Sequence, residues 1–160
     1  DISSLSKGSI MQMFKRVLLI LAVAFFCGTL TTQAQTKANK KNRAIAGLSM
    51  GGFHSLHISK QYPDMFNYVG LFSAAIWPNK NAKSSIYQDT EKKLAAQFAK
   101  KPALYWIAIG KTDFLYKSNT EFRNMLDSNK YPYEYYESED GHIWKNWRFY
   151  LAKFAPMLFK

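Results

Sequence analysis

The chain has 160 residues, one cysteine and a formal net charge of +11 at pH 7. A single thiol excludes an internal disulfide framework and a multi-cysteine zinc site. The lysines cluster only in KANKKNR at 37–43, whereas the aromatics fall in apolar runs, so the chain lacks the basic and aromatic interleaving of a nucleic-acid surface.

From Met13 the sequence runs MFKRVLLILAVAFFCGTLTTQAQT. Lys15 and Arg16 form a basic start, Val17 begins an apolar stretch, and Thr32-Gln33-Ala34 is a small-residue cleavage site. The alternative, an anchor helix, needs about 20 apolar residues, and this run is shorter. Residues 13–34 therefore read as a signal peptide cleaved after Ala34, which places the mature chain in the periplasm or outside the cell with no stable membrane insertion. Cys27 leaves with the signal, and Phe25-Phe26 before it argues against lipidation. Residues 1–12 read as an upstream leader with no clear role, and 35–42 as a basic linker. Removal of Lys7, Lys15, Arg16 and Asp1 takes the net charge to about +9.

From Arg43 onward short apolar runs alternate with longer amphipathic ones, the signature of a βαβα domain over 43–160. Residues 44–48 predict a buried strand and 50–61 a helix stopped by Tyr62-Pro63. A second strand follows at 68–73, then a polar loop around Pro78. Leu94, Ala95 and Phe98 give 87–101 a helical stripe, and 103–109 is apolar on both faces like a central parallel strand. Phe122, Met125 and Leu126 mark a helix over 118–129, and 131–138 reads as a fourth strand. The final helix, 144–159, carries Trp147, Leu151 and Phe154 on one face, with a kink expected at Pro156. The expected architecture is a mostly parallel sheet of about four strands with helices on both faces.

The chemistry concentrates where strands end. AIAGLSMGG passes from strand to helix through Ser49, with Gly47 and Gly51 beside it, the pattern of a sharp nucleophile turn. A serine hydroxyl is a weak nucleophile at neutral pH and needs a base, itself oriented by an acid. Asp113 follows the third strand and His142 the fourth, in the order Ser, Asp, His. Glu139 and Asp140 are rival acids, but they precede His142 so closely that reaching its far nitrogen would contort the loop. The Met50 N–H, first in the following helix, is placed to receive an oxyanion. Taken alone, Gly-x-Ser-x-Gly is matched as well by a serine that merely caps a helix.

At these residues the chain resembles the secreted bacterial serine esterases of the feruloyl esterase type, related to esterase D, siderophore esterases and mycolyltransferases. AGLSMGG is similar to that family's nucleophile elbow, YVGLFSAA to its next strand, IGKTDFL to its acid loop and GHIWKNWRFYLAKFAPMLF to its histidine loop and last helix. The resemblance implies a partial α/β-hydrolase fold lacking the N-terminal strands and the second oxyanion donor. It implies Ser49, Asp113 and His142 as nucleophile, acid and base, and Met50 as an oxyanion donor. It also implies a small-molecule or polysaccharide-linked ester as substrate, such as a feruloyl or acetyl ester, with no cofactor or metal.

Two alternatives share these residues: a catalytically impaired remnant of a truncated gene, whose exposed sheet edge could be covered by a second copy in a homodimer, and an acyltransferase differing only in its acceptor. Trp77 and Trp144 are the candidates for substrate contact. Trp77 serves equally as core, and Trp144, with Trp147, is read first as an anchor for the last helix. His54 and His57, one helical turn apart, have the spacing of metal ligands but no accompanying carboxylate, and packing is the preferred reading.

Overall fold

The computed structural model describes residues 39–76 and 84–160. The expected signal peptide 13–34, the expected leader 1–12, the expected linker up to residue 38, and Trp77 lie outside the described residues. Among the described residues no helix is long and apolar enough to cross a membrane.

Four strands, β1 (Ala44–Leu48), β2 (Tyr68–Phe72), β3 (Leu104–Gly110) and β4 (Glu134–Ser138), form one sheet in the order β1-β2-β3-β4. Every pair is parallel, with Gly47 opposite Leu71, Leu71 opposite Ile107 and Ile107 opposite Tyr135. The helices are α1 (Met50–Gln61), α2 (Thr90–Ala99), α3 (Tyr116–Ser128) and α4 (Trp144–Phe154). Right-handed crossovers that always step the same way must lay their helices on one face. Accordingly Leu56 of α1, Leu94 and Phe98 of α2, and Phe122 and Leu126 of α3 share one core cluster with Val69, Leu71, Tyr105 and Ile107. The alternate strand positions Tyr68, Phe72, Leu104, Trp106 and Ala108 point the other way and pack on Tyr150 and Phe154 of α4.

Strands β2 and β3 are buried at every position, as parallel strands between two helical layers should be. Strand β1, paired only with β2 among the described residues, is part-buried with Ala46 exposed.

Several boundaries and faces depart from the sequence expectation, each for a local reason. Strand β4 begins at Glu134 rather than 131 because Pro132 has no N–H to give a ladder. Helix α4 ends at Phe154: Pro156 stops it rather than kinking it, and the chain continues as a 3₁₀ turn, Ala155–Met157. Its buried stripe is Asn146, Tyr150 and Phe154, while Leu151 is exposed. In α2 the buried residues are Leu94, Gln97 and Phe98, and Ala95 faces solvent. Trp144, expected to anchor α4, is 67% exposed and meets Trp147 edge-on at 5.3 Å.

Candidate active site

Ser49 occupies the single residue between β1 and α1, at φ 51° and ψ −116°. A side chain at positive φ is strained by roughly 1–3 kcal/mol and persists only where its surroundings over-determine it. Three backbone bonds do so here. Ser49 N–H donates to Phe72 O at 2.9 Å, and Ser49 O accepts from Ala75 N at 2.9 Å and from Phe53 N at 3.1 Å. The turn is crowded as well. A Cβ on Gly47 would lie 2.3 Å from the Gly51 carbonyl carbon, and one on Gly52 would lie 2.6 Å from the Ala74 Cβ. Gly51 itself has open space where a Cβ would go, so the glycines that this turn requires are Gly47 and Gly52 rather than Gly47 and Gly51.

The turn points Ser49 Oγ at His142, whose Nε2 stands 2.9 Å away. The other ring nitrogen, Nδ1, lies 2.9 Å from Asp113 Oδ2 and 3.1 Å from Oδ1. A carboxylate can only accept, so Nδ1 carries the proton and Nε2 is left to accept from the Ser49 hydroxyl. Asp113 is fully buried at its side chain, and its Oδ1 also takes the Leu115 N–H at 2.9 Å. That bond, with Tyr116 N to Asp113 O at 2.9 Å, starts α3 two residues before the expected Ser118.

The histidine loop is clamped against the acid loop. Lys111 N donates to Ser138 O at 2.8 Å, and the buried Asn146 donates from Nδ2 to Gly141 O at 2.9 Å. Gly110 lets the Asp140 backbone approach to where a Cβ would sit. The rival acids point elsewhere: Glu139 pairs with Lys111 at 2.6 Å and Asp140 with Lys145 at 2.7 Å, both at the surface. Of the expected set, Ser49, His142 and Asp113 therefore come together in one hydrogen-bonded chain.

Met50 opens α1 with its side chain half exposed. Its N–H belongs to the first turn, where no intrahelical acceptor exists, and the first bond back is Phe53 to Ser49. Trp144 stands exposed beside the histidine loop. Phe114 is an aromatic that sequence reading missed: it is 70% exposed, yet its ring centre is 4.7 Å from that of His142. On His142 a second ring, Trp147, packs edge-on at 4.8 Å.

The two histidines of α1 take no part. His54 is exposed, while His57 is buried against Phe53 and Tyr87 and donates from Nδ1 to Ile86 O at 3.0 Å. Burial, with Lys60 nearby, pulls the His57 pKa down to about 4. Among the described residues no group of three or more His, Cys, Asp or Glu could hold a metal ion.

Known proteins resemble this chain in sequence and in fold. The chain is 34% identical over 130 residues to an endo-1,4-beta-xylanase/feruloyl esterase of Xylanibacter ruminicola, aligning 78% of this chain with 15% of that protein. It is 28% identical over 136 residues to an acetyl esterase of Caldicellulosiruptor saccharolyticus, aligning 68% of this chain with 51% of that enzyme. The chain thus spans about half, or less, of the length of these relatives. Among solved structures, the ferulic acid esterase of Anaeromyces mucronatus superposes with a TM-score of 0.65 at 24% identity, over 76% of this chain and 46% of that one. The fluorophosphonate-binding serine hydrolase F of Staphylococcus aureus gives 0.63 at 21% identity, over 84% and 62%. These structures share the fold, a partial α/β-hydrolase fold in this chain. The Esterase family, described as putative esterase, matches residues 27–158, most of the chain, and this chain belongs to that family.

Proposed function

We propose that Ser49, His142 and Asp113 are the nucleophile, base and acid of an exported carboxylic ester hydrolase. The observation that carries this is the unbroken chain Ser49 Oγ, His142 Nε2, His142 Nδ1, Asp113, each link at 2.9 Å, with the serine held at positive φ. Strain of that kind is consistent with a group held ready to react.

In this mechanism the Ser49 Oγ–H passes its proton to His142 Nε2 as Oγ attacks the ester carbonyl carbon. The carbonyl oxygen gains the negative charge and is received by the Met50 N–H at the head of α1, where the helix dipole also favours an anion. Asp113 stabilises the imidazolium that forms. His142 then returns the proton to the leaving alcohol, which departs and leaves an acyl-serine. Water, deprotonated in turn by His142, hydrolyses that ester and frees Ser49.

The substrate we propose is a feruloyl or acetyl ester on plant polysaccharide. It is supported by the printed activities of the two relatives, a xylanase/feruloyl esterase and an acetyl esterase. Export is supported by the pattern at 13–34, and Trp144, exposed beside the site, is the proposed contact for the substrate.

The test is labelling of the full chain with a fluorophosphonate probe, read by intact mass. One adduct is expected, absent in Ser49→Ala and strongly slowed in His142→Gln. Labelling that survives Ser49→Ala, or a wild type that does not label, would overturn the assignment.

A further inference from the structure

We propose that Phe114 is a positioning residue for the base: its ring covers His142 on the solvent side and keeps water from the hydrogen bond between His142 and Asp113. The proposal deepens the reading of Ser49, His142 and Asp113 as a catalytic set and rests on it.

The turn after β3 creates the arrangement. Asp113 N bonds to Gly110 O at 3.0 Å and Leu115 N to Asp113 Oδ1 at 2.9 Å, which sends successive side chains to opposite sides. Asp113 and Leu115 are 4% and 1% exposed, and Phe114 between them is 70% exposed. Leu115 packs beneath the site with Phe53, Ala75 and Ile109, and Phe114 belongs to none of the three core clusters. Its ring contact is His142, at 4.7 Å and an interplanar angle of 52°. Trp147, part of the α4 layer, meets the same imidazole at 4.8 Å and 83°. Between these two rings the His142 side chain keeps only 18% exposure, although its loop lies at the surface.

Shielding matters because the base is charged only for an instant. When Nε2 takes the serine proton, an imidazolium stands against the Asp113 carboxylate, and their attraction grows as the local dielectric falls. Water at Nδ1–H would weaken that attraction and compete for the proton. An aromatic ring excludes the water and also tolerates the positive charge beside it. Phe114 does this without supporting the fold, which separates it experimentally from Trp147.

The experiment uses the full chain and two readouts. Proton NMR follows the downfield Nδ1 proton of His142, assigned by its loss in His142→Gln, and p-nitrophenyl acetate hydrolysis gives kcat and KM. In Phe114→Ala the lifetime of that proton against solvent should shorten about tenfold, with kcat lower by a similar factor, a fraction of the 10²–10⁴ that a positioned base supplies. KM for the small acetyl ester should not move, the melting temperature should hold, and Phe114→Leu should restore most of both losses. An unchanged proton lifetime in Phe114→Ala, or a wild type that shows no protected Nδ1 proton, overturns the proposal whatever the activity does. A KM increase confined to bulky acyl esters, with the lifetime unchanged, would instead make Phe114 a substrate contact. Failure of the catalytic reading shows separately, as hydrolysis that survives Ser49→Ala.

Discussion

The proposed site is built from two arms that are held by different means. The proposed nucleophile arm, β1 to α1, rests on a strand with one partner among the described residues and with part-exposed positions. Its order comes from the backbone: glycine crowding at Gly47 and Gly52 and three bonds to Ser49. The proposed acid follows β3, buried along its whole length, and the proposed base follows β4, which like β1 has one partner among the described residues and is part-exposed. The two loops are tied by Lys111 N to Ser138 O and by side chains, with Leu115 N donating to Asp113, Asn146 to Gly141 O, and Tyr150 OH and Ser138 Oγ 2.6 Å apart. A local turn can be stiff on a poorly covered strand. The long-range contact of Ser49 with His142 joins the loops after the two part-exposed strands, β1 and β4, and the buried Asp113 between them anchors it.

The comparison breaks first on its chemistry, at Asp113. In Asp113→Asn the side-chain oxygen can still accept the Leu115 N–H while the amide donates to His142 Nδ1. That forces the imidazole proton onto Nε2, where it can no longer accept from Ser49. The expected loss in kcat is on the order of 10⁴, with little change in melting temperature. A comparable fall in stability would mean that Asp113 serves the fold of its arm rather than the tautomer of His142.

Gly47→Ala tests the other arm. The added methyl meets Gly51 backbone, which has no rotamer by which to yield, so a loss of about 3 kcal/mol is expected in denaturant melts, at the high end of overpacking. Activity should fall with it, because the displaced atoms belong to the turn that aims Ser49. An intact, stable variant would show that β1 and α1 can separate without harm.

How far the sequence foretold each arm follows from the same division. The turn at Ser49 was legible because a strand, a serine among glycines and a helix are consecutive. Asp113 and His142 were legible because each follows a strand and the parallel sheet gathers strand ends. What periodicity could not supply was phase. The α4 sequence WKNWRFYLAKF is apolar on more than one face, and Asn146 and Tyr150 turn inward because each has a hydrogen-bond partner there, which leaves Leu151 outside. Phe114 gave no signal, since a phenylalanine beside buried Asp113 and Leu115 reads as core until the turn is seen.

A pH experiment probes α1, which follows Ser49. His57 lies in α1, its pKa pulled to about 4 by burial and by Lys60, with Lys93 and His54 acting the same way and the Ile86 carbonyl opposing. The unfolded chain, with an ordinary histidine near 6.5, binds the proton first as pH falls. Above that value His57 contributes nothing, and between pH 6.5 and 4 it progressively favours unfolding, by at most about 3 kcal/mol at the acid end and less where solvent screens the ring. His57→Gln should flatten that part of the stability profile. Equal slopes in variant and wild type would mean that the imidazole is charged in the folded state and that α1 accommodates it.

The smallest effect discriminates most sharply within the nucleophile arm. Gly51→Ala places a methyl in open space, at a helix position with no positive φ. Replacing glycine by alanine in a helix gains up to about 1 kcal/mol, and less in the first turn, so a gain of about 0.5 kcal/mol is expected. Gly47→Ala and Gly51→Ala would then differ in sign although the two residues flank the same serine. The difference arises because a Cβ on residue 47 would point at the backbone of residue 51, whereas a Cβ on residue 51 would point outward. If both substitutions destabilise alike, the stiffness of the elbow comes from glycine flexibility at both positions rather than from the close approach of strand to helix. Ser49 would then be held by its three backbone bonds alone.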